Sequence, residues 1–197
     1  MKKNIIITAL LILSSLATFA QVKWNADPAH TSIIFSVNHL GISYVHGNFT
    51  KFNGTVETKD STNFQQAKLD FTVDVNSINT DVADRDKHLK SDDFFNAAQY
   101  PAMTLKSVSF TKKPNGKYVL VADLTIRDIT KRVNFDVDYH GLLKKDPWGL
   151  TRAGFTAKAT INRLDFGVKY ADKLPSGAYA VAPKVEIIVN TEIVKAN

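Results

Sequence analysis

The chain has 197 residues, no cysteine and a formal net charge of +6. The lack of cysteine excludes disulfides, cysteine-type zinc sites and thiol nucleophiles, so the fold must be stabilised by packing alone. The basic residues are scattered, and after residue 20 only Lys112-Lys113 and Lys144-Lys145 are adjacent lysine pairs. Because no long cationic run marks a nucleic-acid-binding surface, we expect no nucleic-acid partner.

The first 20 residues have the pattern of a secretory signal peptide. Met1-Lys2-Lys3 precedes an apolar stretch over residues 5–16, and small residues lead to a cleavage position after Ala20. The stretch is too short to span a membrane, and without cysteine it cannot carry a lipoprotein anchor. We predict a periplasmic or secreted protein in which residues 21–197 form one domain with a net charge of +4 and no transmembrane segment.

Most of the remaining chain alternates apolar and polar residues with the period of a β-strand. The clearest example is the third segment, where one face carries Ala67, Leu69, Phe71, Val73 and Val75. Eight such segments follow one another without a long amphipathic helix between them. Their approximate spans are 30–38, 45–58, 66–77, 102–110, 117–127, 131–141, 149–164 and 183–194.

Three local signals refine this pattern. The apolar rows of the second segment change parity, which predicts a bulge or bend near Lys51. Asn115-Gly116 lies between two strand-like runs and predicts a tight hairpin. Residues 81–96 lack alternation, and we interpret them as one short helix, with Asp81 as its N-cap, followed by a turn.

Eight consecutive strands with short connections could form two packed sheets or one closed barrel. Segments 45–58 and 149–164 are unusually long, and long bent strands favour a closed sheet. We therefore predict an all-β fold: a single antiparallel eight-stranded barrel with one short helix between its third and fourth strands. An eight-stranded barrel can either fill with side chains or hold one small ligand.

No local catalytic motif is present, neither a nucleophile elbow, a phosphate loop, a dinucleotide fingerprint nor a zinc-protease helix. The first two strands could bring His30, His39 and His46 together, but histidines that form structural hydrogen bonds are the more common arrangement. We expect no metal site, no catalytic residues and no cofactor.

Several stretches match one known family in the same order along the whole chain after residue 20. They are Asp27-Pro28-Ala29-His30-Thr31-Ser32, Phe35-Ser36-Val37-Asn38-His39-Leu40-Gly41, Gly47-Asn48-Phe49, Ser77-Ile78-Asn79-Thr80, residues 85–95, Tyr100-Pro101, residues 124–131 and residues 161–168. In these the chain resembles the YceI-like family of exported polyisoprenoid-binding proteins. Within residues 124–131 the chain has Asp128 where we expect this family to have a glycine. Aspartate also tolerates turn geometry, so the difference affects a turn and not the fold.

The resemblance implies a lipocalin-like barrel whose elongated apolar interior binds an isoprenoid chain, such as a quinone or a prenyl phosphate, for transport, storage or sequestration. It also implies a homodimer. Strand parity then gives candidates for the tunnel lining, each of which could equally fill a dry core. They are Phe35, Val37, Phe49, Phe71, Val73, Leu120, Leu124, Phe135, Val137, Phe155, Val185 and Ile187.

Arg85, His88 and Lys90 lie on the predicted helix and are our candidates for binding a head group. We expect Arg163 to pair locally with Asp165 and hold a strand end rather than to bind a ligand.

Three other functions remain open. The first is binding of a fatty acid or fatty amide, since an apolar tunnel selects length and width more than chemical identity. The second is an enzyme that acts on a barrel-bound lipid through His88, Arg85 and Asp86, or through His30 with Asp27. The third is a filled barrel with a functional surface.

Overall fold

The computed structural model describes residues 21–196, so the predicted leader, residues 1–20, lies outside it. No helix in this part of the chain is long and apolar enough to cross a bilayer. The elements are β1 (Val22–Ala26), β2 (Ser32–His39), β3 (Ser43–Phe49), β4 (Phe52–Thr58), β5 (Lys68–Asp74), β6 (Ile78–Asn79), α1 (Ala83–Lys90), β7 (Ala102–Lys112), β8 (Tyr118–Ile126), β9 (Ile129–Leu143), β10 (Arg152–Asn162) and β11 (Val181–Lys195), with 3-10 turns at Val75–Ser77 and Arg163–Phe166.

The strands form one closed antiparallel barrel. β1 and β2 are two parts of one long bent strand, as are β3 with β4 and β5 with β6, which gives eight long strands that each pair with the next. β11 pairs with β10 on one side and with β1 and β2 on the other, which closes the ring. The predicted eight-stranded barrel with one helix between strands three and four is confirmed. The predicted Asn115-Gly116 turn joins β7 to β8, with Gly116 at a φ of 83°.

The first strand begins earlier than the alternation pattern indicated. Val22–Ala26 is short and half polar, so its sequence gave little signal, yet Trp24 is completely buried between β4 and the end of β11. The parity change near Lys51 is explained by the interruption between Phe49 and Phe52.

Helix α1 begins without a side-chain cap, so the prediction that Asp81 caps it is wrong. Its N-cap position is Val82, and Asp81 has a left-handed backbone with a φ of 60°. Asp86, within the first turns of the helix, instead accepts hydrogen bonds from the Thr80 amide (2.9 Å) and hydroxyl (2.5 Å). A carboxylate from inside the helix therefore ties the helix to the preceding strand.

Successive connections alternate between the two ends of the barrel. The turn at residues 40–42, helix α1, the β8–β9 turn and the β10–β11 connection share one end, which we call the helix end. The opposite end receives Phe64 from the β4–β5 loop, where its ring packs 5.3 Å from Trp24, 5.6 Å from Tyr139 and 5.0 Å from Phe155, measured between centroids. We call this the aromatic end, because these rings close it.

A network around Arg152 ties β10 to the junction of β1 and β11. Its guanidinium bonds to Asp27, to Asp146 at 2.6 Å and to Glu192 at 3.2 Å. Burial raises the pKa of Asp146, whose side chain is only 2% exposed, but bonds from Arg152 and two amides outweigh burial and leave the pKa below its ordinary value. The bond from Arg152, helped by one from His30, lowers the pKa of Asp27 to about 2.

The depressed pKa of Asp27 predicts a loss of stability in acid. Its carboxylate contributes stability above its ordinary pKa of 3.8, and that contribution, about 2 kcal/mol for the full shift, is lost as the pH falls toward 2. Urea unfolding at pH 6 and pH 2.5 should therefore show a smaller acid loss in Asp27→Asn than in the parent chain. An equal loss in both proteins would contradict the role of this carboxylate.

Candidate functional site

The barrel encloses an apolar cavity of about 440 Å³. Its wall consists of inward side chains from every long strand, almost all of them aliphatic or aromatic. This volume lies within the roughly 300 to 1,000 Å³ of typical small-molecule sites and far exceeds the space of one water. The barrel therefore has interior space beyond what its own side chains fill.

All twelve side chains selected by strand parity line this cavity. Their contact with a ligand stays a prediction. Further lining residues from β7 were missed, among them Met103, Leu105 and Phe110. Met103 and Leu105 alternate regularly, but a register shift between Ser107 and Ser109 turns Phe110, which has the opposite parity, inward as well. A regular alternation rule does not anticipate that shift.

Two phenylalanine rings on the wall cover glycines of the neighbouring strand. Phe35 lies opposite Gly47 and Phe71 opposite Gly54. A β-carbon added at Gly47 would come within 2.4 Å of the Phe35 ring, and one at Gly54 within 2.2 Å of the Phe71 ring. The two glycines therefore let the rings lie against the sheet, which leaves the space in front of them open.

Helix α1 contributes polar groups to the cavity at the helix end. Arg85, His88 and Leu89 share one helix face and line the cavity, whereas Lys90 does not, because it lies about 140° around the helix from Arg85. The guanidinium of Arg85 donates to the hydroxyl (2.8 Å) and carbonyl (2.7 Å) of Thr80. Two of the three predicted head-group residues are thus at the cavity, and Lys90 is not.

Arg163 lines the cavity, and the prediction that it pairs with Asp165 is wrong. Its side chain donates to the carbonyls of Val181 (2.7 Å), Ala182 (3.0 Å) and Tyr170 (2.6 Å), and no carboxylate of residues 21–196 lies within ion-pair distance of it. The residue is 6% exposed, and this burial lowers the pKa of its guanidinium. Two of its carbonyl partners, Val181 and Ala182, are 18 and 19 residues away, so no local signal could have identified them.

His88 and Arg163 lie against one aromatic pair at this end of the cavity. Phe94 and Tyr170 stack with centroids 5.0 Å apart, and the His88 ring meets both edge-on at 5.1 and 5.8 Å. The Arg163 guanidinium lies 6.0 Å from the Phe94 ring centroid. We call Arg85, His88, Arg163, Phe94 and Tyr170 the mouth group; it combines positive charge with aromatic surface at the helix end of the cavity.

Of the two side-chain groups considered for catalysis, His30 does contact Asp27, at 2.9 Å, but His88 does not contact Asp86. The carboxylate partner of His88 is instead Asp93, at 2.8 Å. Among residues 21–196, Asp27, His30 and Glu192 offer ligand atoms within 4.8 Å of one another, but Arg152 is bonded to both carboxylates there and none of the three lines the cavity. The guanidinium charge disfavours a cation at that cluster.

Comparison with known proteins places this barrel and its cavity in a family. The model of the YceI-like domain matches residues 24–193. The chain belongs to the YceI-like family. This confirms the resemblance seen in the sequence.

Relatives of this YceI-like protein match over nearly the whole chain. A UPF0312 protein from Shewanella denitrificans is 35% identical over 192 residues, which cover 96% of this chain and 97% of the relative. The crystal structure of Campylobacter jejuni YCEI protein is 30% identical, with a TM-score of 0.68 over 81% of this chain and 90% of that one. A polyisoprenoid binding domain from Saccharophagus degradans has a TM-score of 0.66 at 12% identity, over 90% of this chain and 100% of that one, and shows the same fold.

Proposed function

We propose that this protein binds a long apolar lipid of the polyisoprenoid type in its barrel and catalyses no reaction on it. The observation that carries the proposal is an apolar cavity of about 440 Å³ with cationic side chains at its helix end. That arrangement fits an amphipathic molecule with a long apolar chain and a polar head. The structural neighbour from Saccharophagus degradans, described as a polyisoprenoid binding domain, supports the same class of ligand.

In this proposal the twelve predicted lining residues contact the isoprenoid chain of the lipid, and the mouth group contacts its head group. Each buried methylene contributes about 0.8 kcal/mol, so one five-carbon unit contributes roughly 3 to 4 kcal/mol before ordering costs. A few units therefore give tight binding without a hydrogen bond to the chain. We expect the affinity to depend more on chain length than on the chemistry of the head.

The predicted leader would deliver the protein to the periplasm or the exterior, where a carrier or store for a water-insoluble lipid is needed. No disulfide is required there, because the core is stabilised by packing. The homodimer implied by the resemblance stays a prediction.

Native mass spectrometry of purified protein, followed by denaturing extraction, tests the ligand class. We expect a stoichiometric molecule with an isoprenoid chain, and added geraniol, farnesol and geranylgeraniol should bind with rising affinity. A co-purified fatty acid or fatty amide would replace the isoprenoid proposal. A protein that carries nothing and binds none of the three alcohols would overturn lipid binding itself.

The mouth group predicts a head-group effect that one substitution isolates. Arg85→Gln should weaken binding of geranylgeranyl phosphate about tenfold, because a charge-assisted hydrogen bond is lost, and leave geranylgeraniol binding unchanged. Lys90→Gln removes a charge from the same helix away from the cavity and should change neither affinity. Titration calorimetry with both ligands measures this; equal effects of the two variants on the phosphate would reject the placement of the head.

A further inference from the structure

The helix end carries an exposed apolar hairpin beside the mouth group. Residues 40–44, which we call the β2–β3 tip, expose 37% of Leu40, 85% of Ile42 and 61% of Tyr44. The preceding residue, His39, lines the cavity, and the Leu40 amide donates to the Ala180 carbonyl at 2.8 Å. The exposed tip therefore begins directly after a residue of the cavity wall.

The backbone of the tip holds these side chains in solvent. Leu40 and Gly41 both have a left-handed φ, at 55° and 76°. The Gly41 amide donates to the Asn38 side chain at 3.0 Å, and the Ile42 amide donates to the His39 carbonyl at 3.2 Å. Leucine rarely adopts this conformation, and isoleucine is rarely this exposed. The turn thus presents Ile42 outward instead of folding it against the barrel.

We propose that the β2–β3 tip inserts into the surface of a lipid bilayer and brings the mouth of the cavity against it. The inference rests on the proposed function, since a lipid carrier must exchange its ligand with a membrane. An apolar tip at the cavity rim lets the chain pass from bilayer to barrel with little contact with water. Isoleucine and tyrosine together suit the boundary between acyl chains and head groups.

Charge and shape favour a bilayer over a protein partner. No aspartate or glutamate occurs from Thr31 to Val56, so this hairpin carries no charge that lipid phosphates would repel. The tip is one narrow turn with three exposed apolar side chains, far short of the roughly 800 Å² per partner that a stable protein interface buries. A bilayer accepts such a convex tip without a matching surface.

The aromatic end offers a matched control. Trp148 is 75% exposed there, beside Lys144 and Lys145 in the β9–β10 loop. If that loop bound membranes through its two lysines, binding would require anionic lipid and would weaken as the salt concentration rises. Insertion of the β2–β3 tip predicts binding to neutral phosphatidylcholine vesicles with little dependence on salt.

Vesicle co-sedimentation tests which of the two barrel ends binds the bilayer. Ile42→Ser/Tyr44→Ser should lower partition onto phosphatidylcholine vesicles about tenfold or more, the loss expected for removing one buried aliphatic side chain and one aromatic. Trp148→Ser should leave partition unchanged. A loss in Trp148→Ser with none in the double variant would overturn the proposal, as would dissociation of a dimer by the double variant without an effect on vesicles.

Fluorescence reports insertion directly, because the chain has two tryptophans and Trp24 is fully buried. In a Trp148→Phe background, Ile42→Trp should shift its emission to shorter wavelength when vesicles are added, whereas the parent chain with Trp148 should not. No shift in the first protein would refute insertion. Farnesol binding without vesicles should be equal in the parent and the Ile42→Ser/Tyr44→Ser protein, so a failure of lipid binding itself is recognised separately.

Discussion

The Ala157→Phe protein should fold and lose at least about 100-fold in affinity for geranylgeraniol. Ala157 lies on β10 between partners Val137 and Val189, and its small side chain lines the cavity. An eight-stranded barrel is wide enough for only one ligand, so an added ring at this depth blocks the passage of a chain. A 100-fold loss is about 2.7 kcal/mol, a little less than the contribution of one isoprene unit that can no longer be buried.

The loss of affinity should grow with the length of the prenyl chain, since the head group and one isoprene unit still fit between the helix end and the added ring. Lys158→Phe is the matched control: it adds the same ring one residue further along, on the exposed outer face. Titrations with a prenyl alcohol series, beside urea unfolding of each variant, measure both properties. Unchanged geranylgeraniol affinity in a folded Ala157→Phe protein would place the ligand outside the barrel.

The wall of this cavity was predictable because it depends on a local rule. Alternation with period two assigns each strand residue to one face, and in β8 this rule selects Leu120 and Leu124, whose side chains face the cavity. The rule failed where the backbone departs from regular pleating. The shift between Ser107 and Ser109 in β7 reverses the face of Phe110 without a glycine or proline to indicate it.

The two ends of the barrel were less predictable, because their side chains find partners far away in the chain. Phe64 closes the aromatic end from a loop with no strand pattern. Arg163 was assigned to the nearest carboxylate in sequence, yet its hydrogen bonds go to carbonyls of Val181 and Ala182 across the β10–β11 connection. Sequence proximity is a poor guide wherever a backbone carbonyl can satisfy a guanidinium as well as a carboxylate can.

Arg152→Met should lower the free energy of unfolding by about 3 to 5 kcal/mol, because it leaves buried carboxylates without their cation. Asp146 and Asp27 are 2% and 13% exposed, and both depend on this guanidinium for charge compensation. Chemical unfolding at pH 7 measures the change. Arg132→Met removes an exposed guanidinium that pairs with Asp123, and it should lower the free energy of unfolding by less than about 1 kcal/mol.

The pH dependence distinguishes lost charge compensation from lost packing of the arginine stem. In the parent chain the pKa of Asp27, about 2, makes its stabilising contribution largest above pH 4. Without Arg152 the buried carboxylates should have raised pKa values, so acid neutralises them and relieves the penalty. The stability difference between Arg152→Met and the parent should therefore shrink steadily from pH 7 to pH 3. A difference that stays constant over this range would mean that Arg152 acts through its methylenes, and that the junction of β1, β10 and β11 is stabilised by packing rather than by charge.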